Sequence, residues 1–181
     1  MFKKYYDLIT DGNDKVGGVL IGPKSLEYPM ARDGKDVPNW QDIVVKLEDG
    51  KYCPMHLGVK GANVVDDAFK ELIESFIGDV DYLEFLPIKA VSPIYGEKRY
   101  YILHFKKIFD VVDKKHSVYI PGTKSLVKLA VDKKKVEGLH IFNSSTYINA
   151  IIVSEELFKA IKKNKLYMGL DHTVVPCYID E

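Results

Sequence analysis

Cysteine is scarce in this chain of 181 residues, which has only Cys53 and Cys177. They form no CxxC pair and stand at no metal-ligand spacing from a histidine, so a zinc-stapled or disulfide-framed mini-domain is excluded. Two reduced thiols in a cytosolic protein is the simplest reading, and one long-range disulfide stays open. Long apolar runs are missing as well. No stretch approaches the roughly 18 residues of a spanning helix. Met1-Phe2-Lys3-Lys4 leads into no apolar core of a secretory signal. The expectation is therefore a cytoplasmic protein with no membrane partner. Neither sign of charge is in excess, with Lys+Arg 26 against Asp+Glu 26, so the chain as a whole has no signature of a nucleic-acid binder. Solenoid repeats and low-complexity linkers are absent too.

What is present suffices for a folded core. Hydrophobic residues make up 46% and charged residues 29%, which suits one globular domain and argues against disorder. Lys3–Ile9 and Val16–Ile21 read as strands. Residues 22–42 hold enough Gly and Pro to predict a long loop over the core, anchored by Trp40. Ile43–Leu47 and Lys51–Cys53 flank Glu48-Asp49-Gly50, a hairpin signal. Apolar residues from Val65 to Ile77 recur at helical spacing, which predicts a helix over Asn63–Ile77 with Asn63 as N-cap and Gly78 just past its end. Tyr82–Ile94 reads as extended chain that Pro87 and Pro93 confine to an edge or bulge. Arg99–Val112 reads as a long strand. Leu126–Val131 and Leu139–Phe142 read as paired strands, and Tyr147–Val153 as another. Ser154 caps a second helix from Glu155 to about Asn164, and Thr173–Ile179 is a last strand. This order predicts an α+β fold with a largely antiparallel sheet and two main helices.

Catalytic motifs do not survive inspection. Gly17–Ser25 and Gly122-Thr123-Lys124-Ser125 approach a phosphate loop, but the first inserts Pro23 and the second has Ser117 where its first glycine belongs. The five histidines form no HxxxH pair, and His104 and His140 read as hydrogen-bonded structural residues in strands. Asn143-Ser144-Ser145 is formally a sequon. Asp113, His116 and Ser117 read as a solvated turn. His172 with Cys177 could make a base and thiol nucleophile in a cleft, although strand alternation puts Cys177 among aliphatic neighbours. Nothing predicts a catalytic residue, a metal site or a cofactor.

The zero net charge hides a division. Residues 1–86 carry a net −6 and residues 87–181 a net +6. The sharpest acidic stretch runs from Asp66 to Glu84. On a helical wheel Asp67, Glu71 and Glu74 lie opposite the Phe69/Leu72/Phe76 stripe, with Asp79 and Asp81 beyond the helix end. The plain reading is a solvated helix face, relieved in part by Asp66 with Lys70. The functional reading is a patch that attracts a basic partner.

A series of pieces recurs in order along the second half: Glu84-Phe85-Leu86-Pro87-Ile88, Tyr100-Tyr101-Ile102-Leu103, Asp110-Val111-Val112-Asp113 with Ser117, His140-Ile141-Phe142, Ile151-Ile152-Val153-Ser154-Glu155-Glu156-Leu157, and Met168-Gly169-Leu170. From about residue 80 onward the chain resembles the immunity-protein-11-like family of bacterial polymorphic toxin systems. The resemblance implies a single immunity-like domain over 1–181, with 1–80 a variable N-terminal region. It implies a non-enzymatic antidote whose partner is a cognate toxin protein. Nucleic acid is not expected as a partner, because Lys98-Arg99-Tyr100-Tyr101 belongs to no ribonucleoprotein-type motif, and RNA binding by the basic second half is kept as a further alternative. The pieces themselves read as scaffold, so the contact surface is expected on charged faces: Asp67, Glu71, Glu74, Asp79 and Asp81. The alternative is a small-molecule-binding module or hydrolase with a cleft near His172 and Cys177. Oligomeric state is not legible.

Overall fold

A computed structural model describes residues 4–11, 18–22, 34–37, 39–41, 43–59, 61–145 and 147–179. Lys3, Val16 and Gly17, residues 23–25 of the Gly17–Ser25 motif and the greater part of the 22–42 loop lie outside them.

Among the described residues thirteen strands and two helices follow in the order β1 (Lys4–Thr10), β2 (Val19–Ile21), β3 (Ile43–Asp49), β4 (Met55–Val59), β5 (Ala62–Val65), α1 (Asp67–Ile77), β6 (Leu83–Ser92), β7 (Gly96–Phe105), β8 (Val118–Tyr119), β9 (Leu126–Lys128), β10 (Val131–Asp132), β11 (Ile141–Ser144), β12 (Tyr147–Ser154), α2 (Glu155–Lys163) and β13 (Leu170–Tyr178). The α+β reading with two helices stands. The strands, however, form two sheets and a separate ribbon. One sheet has five strands in the order β10-β13-β1-β12-β11, the other six in the order β2-β3-β6-β7-β5-β4, and β8 pairs with β9 alone. Both sheets are mixed. β3 runs parallel to β6, and β10 parallel to β13. Each parallel pair is joined through a long crossover that includes a helix, as parallel neighbours require.

Packing divides into three cores. The first lies between the sheets, where Phe69 and Ile73 of α1 and Leu157, Phe158 and Ile161 of α2 meet Leu8, Leu103, Phe105 and Ile151. The second covers the other face of the six-stranded sheet, with Val45, Ile88, Tyr100 and Ile102 under Val37, Trp40 and Tyr52. The third backs the five-stranded sheet, with Tyr5, Phe142, Ile152, Val175 and Cys177. Cys53 and Cys177 are both buried and are not joined in a disulfide.

Several local expectations change, each because tertiary pairing outweighs local pattern. α1 begins at Asp67, not Asn63. Val64 and Val65 are fully buried and pair with Ile102 and Tyr101, so that segment is strand. Asp66 is the N-cap, in extended conformation, and accepts from Phe69 N at 3.0 Å. Gly78, at φ +63°, ends the helix and donates to Glu74 O. Gly50, at φ +71°, turns the chain after β3, but 51–53 form no strand, and β3 pairs with β2 and β6 instead. Pro87 lies in β6, inside the sheet. Pairing of β6 with β3 starts one residue later, at Ile43 with Ile88. The Pro87 carbonyl on that flank accepts from Trp40 Nε1 at 2.8 Å, so no ladder donor is lost where the ring stands. β7 stops at Phe105. β9 and β11 do not pair with each other, because β9 closes on β8 and β11 joins β12. Ser154 caps α2 as expected, accepting from Leu157 N at 3.2 Å.

Candidate functional site

The five acidic residues expected to form a contact surface lie along α1 and the loop after it. Phe69 and Ile73 turn inward, while Asp67, Glu71, Asp79 and Asp81 are exposed and Glu74 is half-buried. The residues are not equivalent. Asp67 accepts from Tyr101 Oη at 2.9 Å. Glu74 is bound by Lys70 at 2.6 Å. Lys70 also stands 5.2 and 5.3 Å from the Phe85 and Tyr101 ring centres, on the part of the six-stranded sheet that α1 covers. The expected Asp66–Lys70 pair is replaced: Asp66 is buried and bound by Lys98 at 2.8 Å. Among the described residues, Glu71, Asp79 and Asp81 make no ion pair, so the unneutralised charge stands at mid-helix on α1 and in the loop beyond its C-terminal end. Asp79 and Asp81, just past the C-terminal end of α1, oppose the helix dipole. That is an unfavourable placement which the fold itself does not require.

His172 and Cys177 do not line a common cleft among the described residues. The two residues are five positions apart on an unbroken strand register, so they point to opposite faces of β13. Cys177 is buried in the third core. His172 Nδ1 lies 2.6 Å from Tyr167 Oη, and the ring sits among those of Tyr6 and Phe158. Two open clefts flank the β6–β7 turn. One, of about 680 Å³, runs between Leu47–Lys51 and Pro93–Tyr95, with Met168 at its side. The other, of about 530 Å³, lies between Ile21, Lys46, Val91 and Glu97. Neither is lined by a histidine or cysteine. Among the described residues no three His, Cys, Asp or Glu side chains gather as metal ligands would, and no helix is long and apolar enough to cross a membrane.

The remaining motifs resolve into structure. Gly122–Ser125 is the tip of the β8–β9 ribbon, with Ser125 N bonded to Thr123 Oγ1 and no helix after it. Asn143 is buried, which closes the sequon. His104 is fully buried, with Nε2 2.8 Å from Lys35 O, and His140 Nδ1 lies 2.8 Å from Ser154 Oγ. The Asp113 turn is not solvated. Its carboxylate is buried and takes the backbone N–H groups of Lys115 and His116 and the His116 ring at 2.6 Å. Desolvation would raise the Asp113 pKa, and these hydrogen bonds outweigh it and hold it below the usual carboxylate range.

Two buried titratable groups went unmarked in the sequence. Asp7 lies on β1, the middle strand of the five-stranded sheet, and is 5% exposed. Burial raises its carboxyl to about 6, against the lowering pull of the Ile151 backbone N–H. Its Oδ1 has no hydrogen-bond partner among the described residues. The signal was legible: a lone acid inside a Tyr/Leu/Ile strand. His56 on β4 is equally enclosed. Its Nδ1 lies 2.8 Å from Gly18 O, and its Nε2 accepts from Cys53 N at 3.2 Å. Burial lowers its pKa to about 4, so the ring is neutral with its hydrogen on Nδ1. No sequence spacing announces that arrangement.

No curated protein matches the chain. The model of the immunity protein family (Imm11) matches residues 20–175. That span runs from β2 to within β13, so it reaches well before residue 80, where the resemblance in the sequence begins.

Proposed function

The chain belongs to the immunity protein family (Imm11), and from that premise we propose that it is a non-enzymatic, cytoplasmic antidote that binds and neutralises the toxin domain of a polymorphic toxin encoded nearby. The family match over residues 20–175 carries this reading. The first core, shared by both sheets and both helices, supports treating residues 1–181 as one domain. A platform of this kind meets its partner through surface charge, not through a cavity.

The contact surface is the acidic edge of α1: Asp67, Glu71, Glu74, Asp79 and Asp81. Glu71, Asp79 and Asp81 lead, because Asp67 and Glu74 already share their charge with Tyr101 and Lys70. Unpaired rim carboxylates steer a basic partner and raise its association rate more than they raise its final affinity. The experiment is a titration of the purified full chain with the toxin domain encoded beside it, at several salt concentrations. Binding of the wild type, weakened at least about tenfold and made less salt-sensitive by Glu71→Lys with Asp79→Lys, is the expected result. An unchanged affinity and salt dependence would remove this surface. Failure of the wild type to bind or protect would remove the antidote reading.

A further inference from the structure

Between Asp113 and Ala130 the chain leaves the third core and returns to it as a ribbon that is hydrogen-bonded to neither sheet. Val118 pairs with Lys128 and Tyr119 with Leu126. A lone two-stranded ribbon is marginal in water, and this one is braced at three levels. At its base, Ser117 Oγ donates to Ala130 O at 3.2 Å and accepts from Ala130 N at 3.0 Å, while the His116 ring, bound to Asp113, stacks on Tyr178 at 4.0 Å. In the middle, Tyr119 and Leu126 turn inward onto the third core. At the tip, Ile120 N donates to Ser125 O at 2.9 Å.

The outward side of this braced ribbon is apolar and basic at once. Val118, Ile120 and Val127 are 48, 46 and 64% exposed. Lys114, Lys115, Lys124 and Lys128 surround them, with Lys133 and Lys134 just past the base. Among the described residues none of these six lysines makes an ion pair, and residues 114–128 include no acid. One exposed valine needs no explanation, but three branched aliphatic side chains on one ribbon, ringed by unpaired cations, mark an interaction surface.

We infer that the β8–β9 ribbon is a docking finger for a protein partner whose complementary surface is acidic around an apolar floor. The aliphatic side chains form the buried centre of such a contact and the lysines its rim. Because the ribbon is already ordered, little conformational freedom is lost on docking. Single-stranded nucleic acid is the poorer fit. It calls for outward rings or arginines on which bases stack, whereas Tyr119 packs inward, His116 is stacked on Tyr178, and residues 113–130 hold no arginine. An anionic bilayer is poorer too, since the outward side has no Trp or Tyr to anchor at the headgroup level. The finger is opposite in sign to the α1 edge, so it is a contact additional to the one proposed above.

The test follows backbone amide shifts and affinity of the full chain with four probes: the toxin domain encoded beside it, poly-L-glutamate, single-stranded RNA, and phosphatidylserine vesicles. Lys124→Glu with Lys128→Glu changes the rim, and Val118→Ser with Ile120→Ser changes the centre. If the serine variant fails to fold by circular dichroism, the glutamate variant decides alone. Where the toxin domain binds the wild type, the glutamate variant weakens binding at least about tenfold, and an unchanged affinity overturns the finger. Where the toxin domain does not bind, the antidote reading falls by itself and the other probes decide. Shifts at Val118, Ile120 and Val127 at lower poly-L-glutamate than RNA or vesicle concentration sustain the finger. Preference for RNA or vesicles, or no shift on the ribbon with any of the three, overturns it.

Discussion

Each sheet encloses a titratable side chain, Asp7 in one and His56 in the other, and the two are held in opposite ways. On the five-stranded sheet Asp7 faces Ile152 and Thr173 across its strand pairs, with one carboxylate oxygen unpartnered among the described residues. On the six-stranded sheet His56 has both ring nitrogens engaged, joining Gly18, ahead of β2, to Cys53, ahead of β4. The Tyr100 hydroxyl, 3.3 Å from His56 Nε2, donates to Cys53 O at 2.6 Å. A satisfied buried network ties segments together, whereas a half-satisfied one costs stability. The two groups also carry opposite pH signatures. Asp7 has a raised pKa, so its proton-linked stability is present below about pH 4 and is lost as pH rises through about 6. His56 has a lowered pKa, so its contribution is present above pH 6.5 and is lost as pH falls toward about 4. Between those limits they offset each other.

The largest effect that would break this comparison is expected at His56. His56→Ala strands the half-buried Gly18 carbonyl and the buried Cys53 N–H and opens a void, so urea unfolding at pH 7.5 should show a loss of about 3 kcal/mol. A loss below about 1 kcal/mol would mean the network ties nothing together. Next comes Asp7→Asn, which keeps an acceptor for Ile151 and removes the buried charge. At pH 8 it should gain about 2 kcal/mol. Relative to wild type, its stability should climb more steeply between pH 4 and 6.5, because His56 then titrates unopposed. A parallel pH profile would show that Asp7 does not titrate in that window.

Gly18→Ala sharpens the same contrast from the backbone side. Its methyl group would stand 2.3 Å from Lys51 O and 2.9 Å from Asp49 O, both backbone atoms that cannot step aside. A loss of 1–3 kcal/mol, of the order of overpacking strain, with faster hydrogen exchange at Leu20 and Leu47, is the expected outcome. Ser154→Ala gives the smallest effect. It removes the α2 cap and the His140 contact at a cost of about 1 kcal/mol, and leaves the six-stranded sheet's exchange rates unchanged.

Much of the fold was readable in advance where the signal was local. α2, with its serine cap, two glutamates in the first turn and two lysines in the last, follows helix rules that need no partner. The C-terminal stop of α1 at Gly78 is of the same kind. Its start was misread because Val64 and Val65 suit a strand or a helix equally until β7 is beside them. Pro87 was misread because a proline is excluded only where a ladder donor is needed, and that depends on where β3 begins. The acidic edge was legible as spacing on a helix, but its division into paired Glu74 and unpaired Glu71 came from Lys70 choosing the Phe85–Tyr101 side of the sheet. The lysines and aliphatic residues of 114–128 were visible as composition, and only their placement on a ribbon that turns Tyr119 and Leu126 onto the third core gives them a shared outward side.

By itself the chain determined its class, its two helices, most of its strands, its divided charge and its family, because helix caps, two-residue alternation and ordered scaffold pieces act over a few neighbouring residues. Only the tertiary structure decided which strands became neighbours, that Asp7 and His56 would be enclosed, that His172 and Cys177 would part to opposite faces, and that β8 would pair with β9 and with neither sheet. Those outcomes depend on contacts between residues far apart in sequence, where burial and hydrogen-bond satisfaction act and local propensity does not.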